Sequence, residues 1–308
     1  MPPKTPTVSH RLEYAALRVL LGLLSPLGWR VGGRVAAAIT AWGYWPFGLR
    51  RGVTERQIAA AFPGLDRPAV ARVARESYRN LGRVTVEATL LSTAGPGAVL
   101  GLFAESPAFA LLERALAPGK GVILVSGHIG NWELAAAYMA ARGVPIDAIA
   151  RGMANPLADA YIRRTRERLG IRIMHDSEAV RRVPRSLRDG RAIGVLSDQA
   201  TVGLASTFVD FFGRPAKTPR GGAVFAMRAA VPVLFVAALR QADGRYRFFA
   251  EEIPVTHSGD RERDTDVIME RFTAILERLV REHPGQYFWQ HRRWKHQPPD
   301  TPPELREP

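Results

Sequence analysis

Two residues able to move a proton lie in the segment SGHIGNWE, residues 126 to 133. His128 and Glu133 are five positions apart, whereas side chains that meet on one helix face are three or four apart. The glycines at 127 and 130 permit a turn, so we expect His128 in a loop and Glu133 in the first turn of a helix. Glu133 would then accept the imidazole N–H, leaving the other ring nitrogen to face a substrate hydroxyl. This arrangement suits acyl transfer without an enzyme nucleophile, although a purely structural His–Glu pair has the same spacing.

The segment follows an apolar strand and precedes a helix, and this alternation continues along the chain. Strands are predicted at residues 121–127, 146–150, 171–174, 192–198 and 231–239. Helices are predicted at residues 66–92, 132–143, 156–170, 177–190 (kinked or broken at Pro184) and 219–230. The alternation predicts an α/β fold with a mixed, largely parallel central sheet flanked by helices. Catalytic groups are then expected at the carboxyl ends of the strands.

Residues 11–65 combine apolar runs with aromatic and cationic side chains. The uncharged runs at 19–29 and 35–49 are shorter than the roughly 20 residues of a membrane-spanning helix. Aromatic residues beside arginines are typical of helices that lie at a membrane interface. We therefore predict an N-terminal helical, membrane-associated segment over 11–65, the alternative being a helical pair that only packs on the domain.

Length and composition fit one catalytic domain, which we place at residues 66–296, with disordered tails at 1–10 and 297–308. The net charge of +14 predicts an anionic partner, which could be nucleic acid, acidic lipid headgroups or an acidic carrier protein. The chain has no cysteine, which excludes disulfides, thiolate catalysis and cysteine-ligated zinc.

GHIGNWE resembles the signature of the lysophospholipid acyltransferase superfamily, in the branch of the bacterial lipid A late acyltransferases and the phosphatidylinositol mannoside acyltransferases. Further blocks resemble that branch in order: RRGVTERQIAAAFPG (50–64), RGMANP (151–156), Asp198-Gln199, FVDFFGRPAKTPRGGAVFA (208–226) and PGQYFWQHRRWK (284–295). The likeness extends from about residue 11 to 296. The chain lacks the FPEG-like block of the glycerol-phosphate branch, which favours the glycolipid branch. In the last block, the candidate residues either contact lipid headgroups or pack on the core; they are Trp289, His291, Arg292, Arg293 and Trp294.

The resemblance implies an O-acyltransferase in which His128 is the general base and Glu133 its charge partner. It also implies that Arg166, or its rivals Arg164 and Arg168, contacts the acceptor phosphate or the developing oxyanion. The remaining substrate-binding positions that it implies are Asn131, Arg151, Asp198 and Gln199. No cofactor and no metal are implied.

The resemblance further implies an acyl donor carried on acyl carrier protein or coenzyme A. The acceptor would be an anionic glycolipid, either a lipid A precursor or a phosphatidylinositol mannoside. Both partners place the reaction at a membrane surface, on the cytoplasmic face of the inner (plasma) membrane.

Other classes of protein fit the sequence less well. A metal-dependent hydrolase would have to use His128, Glu133, Asp198 and His175, yet no HExxH or paired-histidine spacing is present. Nucleic-acid binding would explain the charge, but the chain has none of the usual recognition motifs, so we predict no nucleic-acid partner. A non-catalytic lipid-binding relative remains an alternative.

Overall fold

The computed structural model describes residues 5–200 and 205–308. The helices are α1 (Val8–Leu24), α2 (Gly33–Tyr44), α3 (Arg51–Ala61), α4 (Arg67–Leu90), α5 (Pro96–Leu100), α6 (Phe109–Leu116), α7 (Trp132–Ala141), α8 (Pro156–Arg168), α9 (Ala179–Arg188), α10 (Gly221–Ala229) and α11 (Arg261–Glu282). The strands are β1 (Val122–Ser126), β2 (Ile146–Ala150), β3 (Arg172–His175), β4 (Ala192–Leu196), β5 (Ser206–Phe211), β6 (Arg214–Pro219), β7 (Val233–Arg240) and β8 (Tyr246–Ile253).

Six of these strands form the central sheet, in the order β3-β2-β4-β1-β7-β8. Neighbouring strands are parallel except for β7 and β8, which are antiparallel. The predicted mixed, largely parallel sheet flanked by helices is therefore confirmed. Strands β5 and β6 form a separate antiparallel hairpin. Because parallel strands end at the same edge, the loops after β1, β2 and β4 come together there.

Apolar side chains cover both faces of the sheet. All five residues of β1 are buried, with Ile123 and Val125 in one core cluster and Val122 and Leu124 in the other. Helices α9, α10 and α11 cover the first face, and α6 and α7 cover the second. A strand that is apolar on both sides is what a covered parallel sheet requires. The sheet is thus a fixed support, and the loops at its carboxyl edge carry the polar groups.

The N-terminal helices pack on the domain through a close helix crossing. Helix α2 lies against α4, where a Cβ added to Gly82 would come within 2.5 Å of the Ala36 carbonyl oxygen. At the same crossing the Thr40 hydroxyl donates to the Tyr78 carbonyl oxygen at 2.8 Å. One face of the N-terminal segment is therefore fixed to the domain, as the alternative prediction required.

The outward surface of this N-terminal segment exposes many large apolar side chains, among cations such as Arg11 and Arg34. Its exposed large apolar side chains include Val8, Leu12, Val19, Leu23, Val31, Trp42, Trp45, Phe47 and Leu49. Within residues 5–200 and 205–308, no helix has the length and apolar character needed to cross a bilayer. Packing on the domain therefore accounts for only one side of the segment.

Three local features differ from the sequence predictions. Helix α9 runs through Pro184 without a break. Residues 297–308, predicted to be a disordered tail, pack on the domain: Glu307 binds Arg292 at 2.5 Å and Thr301 is buried. At the other end α1 already begins at Val8, within the predicted tail 1–10, whose first four residues lie outside the described part of the chain.

Candidate active site

His128 lies in the loop between β1 and α7. Gly130 gives this loop its shape, because it has a φ of +62° and a Cβ there would lie 2.0 Å from the Ala238 carbonyl oxygen. Asn131 caps the following helix with its side chain. His128 is consequently in the loop and Glu133 in the first helical turn, as the two glycines predicted.

The pairing of β1 with β4 brings Asp198 to His128. Ser126 is the register partner of Leu196, and His128 and Asp198 each lie two residues further along. Asp198 Oδ1 is 2.7 Å from His128 Nδ1, and Asp198 Oδ2 accepts from the His128 backbone N–H at 2.8 Å. The contact with the carboxylate selects the tautomer with the proton on Nδ1 and leaves Nε2 as an acceptor.

This geometry corrects the predicted partner of His128. Glu133 instead binds Arg166, whose Nε and Nη2 donate to its two carboxylate oxygens at 3.0 and 2.5 Å. Asp198, predicted to bind substrate, is 1% exposed and lies behind the imidazole. The physical reason is that α7 carries Glu133 away from Nδ1, whereas two adjacent parallel strands deliver Asp198 to it.

Asp198 is buried but ionised. Burial is the largest influence and raises its pKa, but the charge of His128, the hydrogen bonds from His128 and the charge of Arg293 together lower the pKa to about 2. The carboxylate is therefore negative at neutral pH and would stabilise a positive charge on the His128 imidazole.

The C-terminal block forms the wall behind this pair. Trp289 and Trp294 are fully buried, and Arg293 is 2% exposed. The Arg293 guanidinium donates to the Lys217 carbonyl oxygen at 2.7 Å and to the Thr218 hydroxyl at 2.6 Å. Of the two alternatives for this block, packing on the core is the one observed for these three residues, whereas Arg292 is exposed.

Other residues of the same block hold the loop and were not predicted to do so. The Phe288 backbone N–H donates to the His128 carbonyl oxygen at 3.0 Å.

Burial, reinforced by the charge of Asp198, raises the pKa of the Tyr287 phenol well above its usual range. Burial lowers the pKa of His291 to about 4, so this imidazole is neutral beside the site. The only sequence signal was the unusual composition of PGQYFWQHRRWK, which does not show what the block contacts.

His128, Glu133 and Arg166 open into one cavity of about 390 Å³. The cavity follows β2 from Ile146 at its start to Ala150 at its end, a length of roughly 13 Å at the usual rise per residue. Its lining is largely apolar and includes Leu124, Met139, Ile146, Ile171, Ile173 and Val236. A narrow apolar cavity with convergent polar groups at one end suits a long hydrocarbon chain with a reactive head.

Helix α8 separates the candidate arginines by face. Arg166 lines the cavity together with Arg163, three positions earlier, which was not predicted. Arg164 is exposed and its Nε donates to a carbonyl oxygen of its own helix. Arg168 donates to carbonyl oxygens of the segment after α4. Arg164 and Arg168 therefore both lie on the face of α8 that turns away from the cavity, whereas Arg166 lines it.

The remaining predicted substrate-binding residues divide in the same way. Arg151 and Gln199 line the cavity. Asn131 is fully buried, and its Nδ2 donates to Glu87 at 2.8 Å while its Oδ1 caps α7. Asn131 is thus a structural residue, and the prediction that it binds substrate is corrected.

Side chains that a metal site would need are not gathered in the described part of the chain. No group of three or more His, Asp or Glu residues there could hold an ion. His175, a candidate ligand in the hydrolase alternative, pairs with the adjacent Asp176 at 2.7 Å, at the end of β3.

The geometry agrees with a comparison of the whole sequence with known families. The profile of the family described as bacterial lipid A biosynthesis acyltransferase matches residues 18–296. The chain belongs to this family. The acyltransferase is 27% identical over 256 residues to the lipid A biosynthesis palmitoleoyltransferase of Escherichia coli (strain K12), covering 82% of this chain and 81% of that protein.

Two further relatives show the breadth of the likeness. The acyltransferase is 26% identical over 169 residues to a phosphatidylinositol mannoside acyltransferase of Mycolicibacterium smegmatis, covering 54% of this chain and 55% of that protein. It is 26% identical over 179 residues to a lipid A biosynthesis acyltransferase of Haemophilus influenzae, covering 58% and 55% respectively. The family resemblance inferred from the ordered motifs, and the enzyme class that it implied, are confirmed.

Proposed function

We propose that this acyltransferase moves a fatty acyl chain from a thioester to a hydroxyl group of a phosphorylated glycolipid, with His128 as general base. The observation that carries the proposal is the contact between His128 Nδ1 and the buried Asp198, which leaves Nε2 as the acceptor nitrogen of an imidazole that lines the cavity. Nε2 takes the proton of the acceptor hydroxyl, whose oxygen attacks the thioester carbonyl. The carbon–sulfur bond then breaks, and the proton passes to the departing thiolate. A positioned base of this kind contributes roughly 10²- to 10⁴-fold in rate.

The apolar cavity is the place for the acyl chain. Because the cavity begins at His128 and follows β2, a chain bound there would hold its thioester carbonyl at the carboxyl edge of the sheet. Fixing the carbonyl beside the base converts a bimolecular encounter into a reaction within one complex, which supplies much of the remaining rate enhancement.

Arg166 is the group that would bind the acceptor phosphate. Glu133 engages its Nε and Nη2, which fixes the plane of the guanidinium and leaves Nη1 for a ligand. Arg163 and Arg151 line the same cavity and add positive charge. Glu133 would therefore serve catalysis by orienting Arg166 rather than by contacting His128.

The membrane surface is the place where donor and acceptor would meet. The apolar outward face of residues 8–49 would enter the interface of the bilayer, on the cytoplasmic face of the inner membrane. A net charge of +14 favours both anionic lipids and acyl carrier protein, which is acidic. For this reason we favour acyl carrier protein over coenzyme A as the carrier of the acyl group.

A phosphatidylinositol mannoside is a second candidate acceptor, because one of the relatives is named for it. The relative from M. smegmatis is described as a phosphatidylinositol mannoside acyltransferase. A phosphatidylinositol mannoside also offers a sugar hydroxyl near a phosphate, so the same base and the same arginine would suit it. Coenzyme A is the matching alternative donor.

The experiment tests the protein with each of the four combinations of two acyl donors and two acceptors. Acyl carrier protein and coenzyme A, each carrying a labelled acyl chain, are incubated with a lipid A precursor or with a phosphatidylinositol mannoside, and products are identified by mass spectrometry. We expect an ester on the lipid A precursor with acyl carrier protein as the better donor. Transfer only to the phosphatidylinositol mannoside would identify that lipid, and not the lipid A precursor, as the acceptor. Transfer in none of the four mixtures would favour a non-catalytic lipid-binding relative.

A further inference from the structure

A second cavity, of about 560 Å³, lies between the N-terminal segment and the β7–β8 hairpin. It shares no lining residue with the cavity at His128. Its lining includes the arginines at 30, 34, 83, 240 and 245 and the carboxylates Glu87 and Asp243. Five arginines and two carboxylates therefore face one space, which we call the arginine cavity.

Both carboxylates of the arginine cavity are already engaged. Glu87 is 3% exposed and accepts hydrogen bonds from Arg240 at 2.8 Å and from the Tyr246 hydroxyl at 2.6 Å, besides the bond from Asn131. Asp243 binds Arg245 Nε at 2.8 Å. Two of the five positive charges are thus balanced within the protein.

The other three arginines have no such partner. Arg30, Arg34 and Arg83 make no hydrogen bond or ion pair within residues 5–200 and 205–308. Arg83 is only partly exposed, and burial, followed by the positive charge of Arg240, lowers its pKa. The charges of Glu76 and Glu87 offset this effect only in part, so a negative ligand in the cavity would stabilise the positive charge of Arg83.

We propose that the arginine cavity binds the phosphate of a lipid headgroup, at a site separate from the one at which acyl transfer takes place. Three arginines that line one cavity offer forked donors for phosphate oxygens. A phosphomonoester, with two negative charges, is the best match for three unbalanced positive charges.

The position of the arginine cavity indicates a lipid rather than a free anion as the source. Arg30 and Arg34 belong to the N-terminal segment, and Leu27 and Val31 beside them expose apolar side chains. A lipid whose acyl chains pack on this exposed face would present its headgroup to the adjacent arginines. The site would therefore anchor and orient the enzyme on anionic membranes.

The test compares two double variants of the protein, each of which removes two positive charges. Arg34→Gln with Arg83→Gln removes two of the three unpaired arginines from the arginine cavity. Lys120→Gln with Arg228→Gln removes the same charge from a different cavity. Binding is measured by sedimentation with vesicles of phosphatidylcholine, alone or with 20 mol% phosphatidic acid or phosphatidylglycerol, and melting temperatures confirm that each variant is folded.

We expect wild type to bind phosphatidic acid vesicles more tightly than phosphatidylglycerol vesicles. The arginine-cavity variant should lose about 25-fold in affinity for phosphatidic acid and most of this preference, because each of the two cations removed contributes roughly fivefold near an anionic surface. The control variant should lose less than twofold. Equal losses in the two variants would show only general attraction to negative charge and would overturn the proposal.

A soluble ligand separates the two possible sources of phosphate. Glycerol 3-phosphate at millimolar concentration should raise the melting temperature of wild type only slightly if the site is completed by a bilayer. A large rise that the arginine-cavity variant lacks would overturn the assignment to a lipid and identify a soluble phosphate ester instead. Since both readouts measure binding, the outcome does not depend on whether acyl transfer is observed.

Discussion

The two ring nitrogens of His128 have different surroundings, and this difference decides their roles. Nδ1 is 2.7 Å from a carboxylate that is 1% exposed. The imidazole also packs against Trp132, with 4.8 Å between ring centroids. A ring held on two sides cannot turn to present Nδ1 to the cavity, so Nε2 is the nitrogen available to accept a proton.

Replacing each of the two carboxylates at the site should give a different kinetic defect. Asp198→Asn removes the acceptor of Nδ1–H and permits the wrong tautomer, so we expect kcat to fall about 10²- to 10⁴-fold with little change in acceptor KM. Glu133→Gln leaves the His128 pair intact and loosens Arg166, so we expect chiefly a higher KM for the phosphorylated acceptor. Steady-state kinetics over a range of acceptor concentrations distinguish the two.

The same two variants, Asp198→Asn and Glu133→Gln, can also contradict the assignment of Asp198 as the partner of His128. A large loss of kcat in Glu133→Gln with near-normal turnover in Asp198→Asn would return Glu133 to the role of partner of His128. Both variants should first be shown to melt near the wild-type temperature, because Asp198 is buried and its replacement also removes the contact with the backbone of His128.

The sequence predicted His128, Glu133 and Arg166 as site residues, but it did not predict which of them pair. Distance along the chain ranks Glu133, five positions from His128, above Asp198, which is 70 positions away. The pairing of β1 with β4 reverses that order, and strand order is a property of the whole sheet. Arg163 was missed for a related reason, since the face of α8 that turns to the cavity depends on packing against α1, α4 and β3.

Among the elements, the turn between β1 and α7 is the most constrained. Gly130→Ala adds a Cβ 2.0 Å from a backbone oxygen of β7 in addition to the cost of a positive φ. We expect a loss of about 3 kcal/mol in unfolding free energy, and a loss of activity because His128 moves with the turn.

Gly213→Ala is the matched control for this prediction. Gly213 also has a positive φ, of +73°, but a Cβ there would have open space around it. Chemical denaturation should therefore show a loss of only about 1 kcal/mol, with activity retained. Equal losses in the two variants would mean that the close approach at Gly130 is unimportant.

The parallel strands were predictable because buried apolar runs alternate with helical periodicity, whereas the β5–β6 hairpin was not. Its two-residue loop is Phe212-Gly213, and both residues have a positive φ. Such turns are usually signalled by Asn-Gly or Asp-Gly. Here a phenylalanine occupies the first position, because its ring packs against Phe62 at 5.1 Å and Trp289 at 6.2 Å. The turn therefore lacks its usual sequence signal, because a residue of the core occupies its first position.

At the scale of the whole molecule, apolar exposure is concentrated on one side. The N-terminal segment carries most of the large exposed apolar side chains of the described residues, while the carboxyl edge of the sheet carries the reactive groups. An enzyme whose two substrates have long hydrocarbon chains would benefit from such a face, because it brings the site to the lipid surface.

Removing two exposed aromatic side chains should weaken membrane binding. Trp42 and Phe47 are 60% and 68% exposed, so their replacement leaves the core intact. For Trp42→Ser with Phe47→Ser we expect partition into vesicles of mixed anionic lipids to fall at least about tenfold, because burying such a side chain contributes roughly 1.5–3 kcal/mol. Vesicle sedimentation at constant lipid concentration measures the change.

The control for that experiment removes apolar side chains of comparable exposure from another surface. Val180 and Phe208 are 70% and 44% exposed. Val180→Ser with Phe208→Ser should bind vesicles as wild type does. If the two double variants lose the same amount, the N-terminal segment is not the membrane-binding face.

The central claim is that His128 removes the proton from the acceptor hydroxyl, and single-turnover acyl transfer tests it most directly. Wild type, His128→Ala and the exposed-histidine control His257→Ala are loaded with a labelled acyl thioester and mixed with saturating acceptor. We predict that His257→Ala matches wild type and that His128→Ala, folded and still binding the thioester, transfers at least about 10²-fold more slowly. Transfer by His128→Ala at the wild-type rate would contradict the account.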